Sequence, residues 1–168
     1  MNKKIVGAAL GALAVSCASA YAGGPVTYLL NMTGDQVVGG GDTGASATGT
    51  ITFDASGSLI SWELDYFNLS HDISGWGFGI GGAGAGGALA IMGNDSLSSG
   101  SGMYDDSSSQ TATNINFILG EGDGAFFVIR TTGFNGGAVR GQLGTEVPAP
   151  GAACLLGLAG IAATRRRR

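Results

Sequence analysis

Ser70, His71 and Asp72 stand side by side, and a serine, an imidazole and a carboxylate are the parts of a hydrolytic triad. A triad is assembled by a fold from separate elements, however, and His71 is the one histidine of the chain, so no second base exists. His71 reads as a solvated loop residue. Zinc or copper needs several imidazole or thiolate ligands, and one histidine with no cysteine between residues 23 and 146 cannot supply them. Asp105-Asp106 and Glu121-Gly122-Asp123 offer the oxygen ligands that calcium takes, yet neither has EF-hand spacing, and both read as solvated turn carboxylates. GIGGAGAGG, from Gly79 to Gly87, has the glycine spacing of a dinucleotide loop without the strand-loop-helix unit that gives such a loop its use. Arg130 and Arg140 fall near the ends of the last hairpin and are expected to pair with carboxylates across strands. No catalytic residue, cofactor-binding residue, metal ligand or cofactor follows from these groups, and the protein reads as a non-enzyme.

The elements that hold these residues read as all-β. Helix signals are nearly absent, and short β-branched or aromatic runs alternate with turn residues, the pattern of a sandwich or barrel. Strands are expected over Val26–Met32, Ala47–Phe53, Ser58–Phe67, Ala88–Met92, Thr113–Leu119, Ala125–Thr132 and Ala138–Leu143. One hairpin turns at Asp54-Ala55-Ser56-Gly57, with glycine available for positive φ. Ile60, Trp62, Leu64 and Tyr66 then share a face, opposite Ile51 and Phe53. A second hairpin turns at Asn135-Gly136, a pair suited to a type I′ turn, and its first strand is apolar on both faces, as a central strand is. The run Gly75–Gly87 is too poor in core-forming residues for an ordinary strand and reads as a close-packed or mobile loop. Ser96–Gln110 reads as a long surface loop.

Both ends are apolar and have basic flanks. Residues 1–22 carry Lys3 and Lys4, an apolar stretch from Ile5 to Val15 and small residues thereafter, the pattern of a signal-peptide helix cut by signal peptidase after Ala20 or Ala22, the latter favoured. The last residues, 147–168, run Val147-Pro148-Ala149-Pro150, an apolar helix over Ala152–Thr164, and Arg165, Arg166, Arg167 and Arg168. Thirteen helical residues span about 20 Å, short of the roughly 30 Å hydrocarbon core, and arginine snorkelling with local thinning narrows the difference. The body between the ends, residues 23–146, is one domain. It keeps two arginines against all twelve carboxylates, a formal charge of −10, which argues against nucleic acid as a partner. It has no cysteine, so packing alone must hold it together.

Two resemblances are carried by particular residues. Phe126-Phe127, Phe134-Asn135-Gly136-Gly137 and Arg140-Gly141-Gln142-Leu143 resemble the closing strands of the CHRD family, and the glycines from Gly44 to Gly49 before ITFD, with LISWELDYFNLS, fit its earlier part. The resemblance implies an immunoglobulin-like or Greek-key β-sandwich with a faint likeness to copper/zinc superoxide dismutase. Where many family members have His-Ile-His, this chain has Gly77-Phe78-Gly79, so the ligands that invite the dismutase comparison are missing. The tail resembles a PEP-CTERM sorting signal, with alanine at position 149 in place of the usual glutamate. That resemblance implies an exosortase-like membrane enzyme in a Gram-negative bacterium and a transient anchor in the inner membrane. The product would be a structural or adhesive protein of the cell surface or extracellular matrix, in contact with extracellular polysaccharide. A carbohydrate- or protein-binding module is the rival, and exposure of Trp62, Trp76 or Tyr104 would favour it; their burial would favour a scaffold.

Overall fold

The computed structural model describes residues 24–144, 146 and 147. The expected signal-peptide helix, the apolar helix over 152–164, Pro148, Ala149, Pro150 and the four terminal arginines lie outside the described residues.

The strands are β1 (Val26–Thr33), β2 (Ser46–Asp54), β3 (Leu59–Leu69), β4 (Ile73–Ile80), β5 (Ala88–Leu97), β6 (Gly100–Ser109), β7 (Ala125–Thr131), β8 (Val139–Gln142) and β9 (Glu146–Val147). One helix, α1 (Ala112–Gly120), joins β6 to β7. All pairings are antiparallel, and the ladder runs unbroken in the order β5-β4-β7-β8-β1-β2-β3-β6, with β9 added to β1. The β class is as expected. Instead of two separate layers there is one sheet, because β8 meets β1 at Arg140 and Thr33 and so joins its two halves. The end strands β5 and β6 are linked by only Ser98 and Ser99, which curls the sheet into a nearly closed barrel. That corner is pinned where Tyr66 Oη donates to the Ser98 carbonyl at 3.0 Å and the Ser99 N–H donates to Asp72 Oδ1 at 2.7 Å.

Alternation along β2 and β3 fills the barrel from one side: Ile51 faces Trp62, Phe53 faces Ile60, and Ile60, Trp62, Leu64 and Tyr66 are all buried. β4 and β7 fill it from the other with Trp76, Phe78, Phe127 and Ile129. The halves meet ring to ring, with centroid distances of 4.8 Å for Trp62–Trp76, 5.4 Å for Trp62–Phe127 and 5.6 Å for Phe53–Phe78. Aromatic pairs at such spacings add stabilisation beyond the area they bury.

Three expectations fail, each for a physical reason. Gly75–Ile80 is not loop but the greater part of β4, a central strand between β5 and β7. GWGFGI alternates with period two: Trp76 and Phe78 go inward, while Gly77 and Gly79 let Leu89 and the Phe126 ring lie directly on the outer backbone. Only Gly81–Gly87 remains loop. Thr113–Leu119 is not a strand but lies in α1, where Ile115, Ile118 and Leu119 recur at helical spacing on the buried face and Phe117 points out. Thr111 caps α1 by accepting from the Asn114 N–H at 3.2 Å. Within Ser96–Gln110, residues 100–109 form β6, an edge strand that buries Tyr104 and otherwise rests on backbone pairing with β3.

The turns also differ in detail. At the first hairpin, Asp54 Oδ1 accepts from the Gly57 N–H at 2.8 Å and the Ser56 hydroxyl at 2.6 Å, but Ser58, with φ 54°, takes the left-handed conformation in place of Gly57. Between β7 and β8 the chain makes a wider connection in which Phe134 N–H bonds back to the Thr131 carbonyl at 3.2 Å. There Gly137, at φ 137°, carries the positive angle, not Asn135-Gly136.

Candidate functional site

The Arg140-Gly141-Gln142-Leu143 segment forms β8 and the start of the turn after it, and its side chains divide between two tasks. Gly141 lies against β1, where a Cβ would sit 2.8 Å from the Asn31 carbonyl oxygen, so the strand can approach only as glycine. Leu143 is in the core. Arg140 and Gln142 face outward, yet Arg140 is only 4 % exposed, because the Gly81–Gly87 loop folds across it. Its guanidinium donates to the carbonyls of Ala85 at 2.8 Å, Gly81 at 2.7 Å and Gly82 at 3.0 Å. It also donates to Gln142 Oε1, and its plane lies 3.7 Å over the Phe126 ring. Gln142 Nε2 completes the clamp by donating to the carbonyls of Gly81 at 3.0 Å and Asp123 at 2.8 Å.

The expectation that Arg140 pairs with a carboxylate is therefore corrected: its partners are backbone carbonyls, an amide and a ring. A loop of glycine and alanine has no side chains with which to fix itself, and its free carbonyls need donors. A planar five-donor fork supplies several from one residue. Burial lowers the arginine's pKa, while the carbonyl dipoles take the place of a counter-ion. Among the described residues Arg130 has no carboxylate partner either; it reaches the Met92 sulfur at 3.9 Å.

At the opposite end of the barrel Asp72 is drawn away from its neighbours Ser70 and His71. Asp72 turns to the Ser99 N–H. Ser70 instead meets Asp42, a residue the sequence reading did not select: Asp42 Oδ2 accepts from the Ser70 N–H and from its hydroxyl, each at 2.7 Å. Ser70 Oγ is 2.9 Å from His71 Nδ1, and His71 stands edge-on to Phe134 with centroids 5.6 Å apart. With the hydroxyl proton committed to Asp42, Nδ1 is left as the donor to Oγ. A nucleophilic serine needs the imidazole to take that proton, and here the serine sits between the carboxylate and the ring. The arrangement ties the β3–β4 turn to the Asp42 loop. Burial would raise the Asp42 pKa, but the Ser70 N–H and hydroxyl, the Gly44 N–H and the nearby His71 outweigh it and hold the carboxyl below its ordinary value.

The acidic pairs do not converge. Asp105 and Asp106 are successive residues of an exposed strand and so point to opposite faces; Asp106 caps the N–H of Ser107 at 2.7 Å. Glu121 and Asp123 lie at the exposed corner after α1. Among the described residues no group of three or more His, Cys, Asp and Glu gathers in a way that would hold a metal ion. Trp62, Trp76 and Tyr104 are all buried, at 2 %, 5 % and 0 % exposure, so none is offered to a ligand. Burial, with Asp95 and then Asp106 close by, pushes the Tyr104 phenol far above its ordinary pKa. The Trp62 indole N–H and the Tyr104 hydroxyl beside it are buried without a hydrogen bond of good geometry.

The fold is thus a β-domain: one antiparallel sheet curled into a nearly closed barrel, whose last full strand clamps a glycine loop. The CHRD domain model matches residues 28–143, from β1 to the end of the clamp segment, and the chain belongs to the CHRD family. No curated protein and no solved structure matches it.

Proposed function

We propose that this is an exported, non-enzymatic protein of the cell surface or extracellular matrix, delivered through its tail by an exosortase-like system. In this reading the barrel serves as a structural or adhesive unit. The observation that carries the reading is the tail itself: Val147-Pro148-Ala149-Pro150, the fourteen apolar or small residues 151–164 and four arginines follow the clamp segment of the barrel. As general tendencies, arginines beside a short apolar run are retained on the cytoplasmic side, and proline-bearing segments favour extended backbone. The amino-terminal pattern supplies the matching export step, with signal peptidase as its enzyme. A body of formal charge −10 suits a soluble surface module and not a nucleic-acid binder.

The scaffold role is favoured over a carbohydrate- or protein-binding module by the burial of Trp62, Trp76 and Tyr104. It is favoured over catalysis by the commitment of Arg140, Asp42, Ser70 and His71 to contacts within the fold. The facing of β5-β4-β7-β8 against β1-β2-β3-β6 through one aromatic core supports a further reading as a Greek-key sandwich closed along one side. Mass spectrometry of the natural protein tests the delivery route. We expect surface or secreted material to lack residues 151–168, and intact Arg165–Arg168 in that material would overturn the route.

A further inference from the structure

We propose that β9 is a latch: by pairing with β1 it holds the first residue of the sorting segment on the barrel, and a processing enzyme gains that segment when the pair opens. The inference rests on the delivery route proposed above. Leu143 is the last residue fixed by the core, 2 % exposed, with its N–H bonded to the Ala125 carbonyl at 3.0 Å. Beyond it the described chain touches the ladder at only two positions, Tyr28 with Glu146 and Thr27 with Val147. Both β9 residues are exposed, so backbone pairing and not apolar burial holds them. On its other side β1 stays paired to β2 along all eight of its residues. β9 can therefore leave without opening the barrel.

The chemistry of the segment makes that pairing matter. An enzyme that takes an extended peptide binds it largely through backbone hydrogen bonds. In Val147-Pro148-Ala149-Pro150 both prolines lack an N–H, which leaves Val147 and Ala149 as the backbone donors of the four. Val147 is the one already engaged in the ladder. A backbone group cannot serve the barrel and an enzyme's cleft together. Folding of the barrel thus sets how readily the tail is read.

The test alters β9 without touching the core. The variants are made in the full chain. Thr27→Cys with Val147→Cys, in a Cys154→Ala background, puts facing thiols across the pair, and Val147→Cys with Cys154→Ala is the unlocked control. Tail removal is followed in cells by pulse-chase, with the chain ends read by mass spectrometry. We expect the locked chain to be shortened at least roughly tenfold more slowly than its control, because a cross-link across the pair opposes its opening. Equal rates throughout would overturn the latch while leaving the delivery route standing. If cells shorten none of the chains, the route fails instead. The latch is then decided on the purified full chains by a broad-specificity protease: protection of residues 144–150 in the locked chain relative to its control supports it, and identical cutting overturns it.

Discussion

Arg140 replaces the side chains that the Gly81–Gly87 loop does not have. Its three carbonyl contacts and its ring contact with Phe126 mean that truncation leaves several loop carbonyls without donors under a collapsed cover. Arg140→Ala should lower unfolding stability by about 3 kcal/mol in urea titrations, in line with losing charge-assisted bonds at a buried site. Arg140→Lys should recover only part of this, since an ammonium has no flat face for the ring and no fork for three carbonyls. Limited proteolysis should cut first within residues 81–87 in both variants. Arg140 stands out in the sequence only by its place in the Arg-Gly-Gln-Leu segment; nothing near it names its partners, because carbonyls 55 to 59 residues away carry no side-chain signature. Asp42 was illegible for the same reason, 28 residues from Ser70. Asp42→Ala should cost about 2 kcal/mol at neutral pH by removing both Ser70 contacts, with the same titration as readout.

β4 shows how glycine misleads a reading by composition. Counting core formers makes Gly75–Ile80 a loop, while reading its period makes it a strand with one aromatic face and one bare face. The bare face is used: Phe126 and Leu89 pack on it, and across the strand pair the Trp76 ring lies on Gly93. A Cβ at Gly93 would fall 2.4 Å from that ring, which is itself locked among Trp62, Phe78 and Phe127. Gly93→Ala should therefore destabilise by about 1–3 kcal/mol through overpacking and shift the near-ultraviolet dichroism of the tryptophans. Gly82→Ala, where a Cβ meets open space and φ is not left-handed, should be neutral by the same measurements. The strands β2 and β3 were legible because each alternates apolar residues between turn signals, and β7 because a short run apolar on both faces ends at turn residues. α1 was not, since Ile115, Phe117 and Leu119 also satisfy a period of two; the Thr111 cap and burial of Ile118 decide for the helix. β6 was hidden by its serines and aspartates, because an edge strand can be held by its neighbour's backbone with one buried tyrosine.

The all-β class and the absence of cysteine from the body were plain from the sequence, whereas closure into one sheet depends on a single meeting of Thr33 with Arg140 that no local pattern encodes. The electrostatics of the whole body follow from composition again: twelve carboxylates against two arginines repel one another at neutral pH, and most of those charges are exposed. Raising salt from about 0.02 to 0.5 M shortens the screening length to a few ångströms and should raise the melting temperature by several degrees at pH 7. Acid works in the other direction on two residues. Asp42 is held low by Ser70 and Gly44 against the cost of its burial, and Asp54 by the Ser56 hydroxyl and then the Gly57 N–H. For a carboxyl lowered in the folded state, the stabilisation is fully present above the ordinary value of 3.8 and is lost as pH falls through the lower folded value. Acid unfolding should accordingly steepen below about pH 3.8, when the folded state must take up protons that the unfolded chain already holds. Asp42→Asn keeps the shape and removes the proton, so its stability should start lower at pH 7 and fall less between pH 4 and pH 2. Denaturant titrations across that range check both slopes, and parallel slopes for the two proteins would show that the Asp42–Ser70 tie does not set the acid limit.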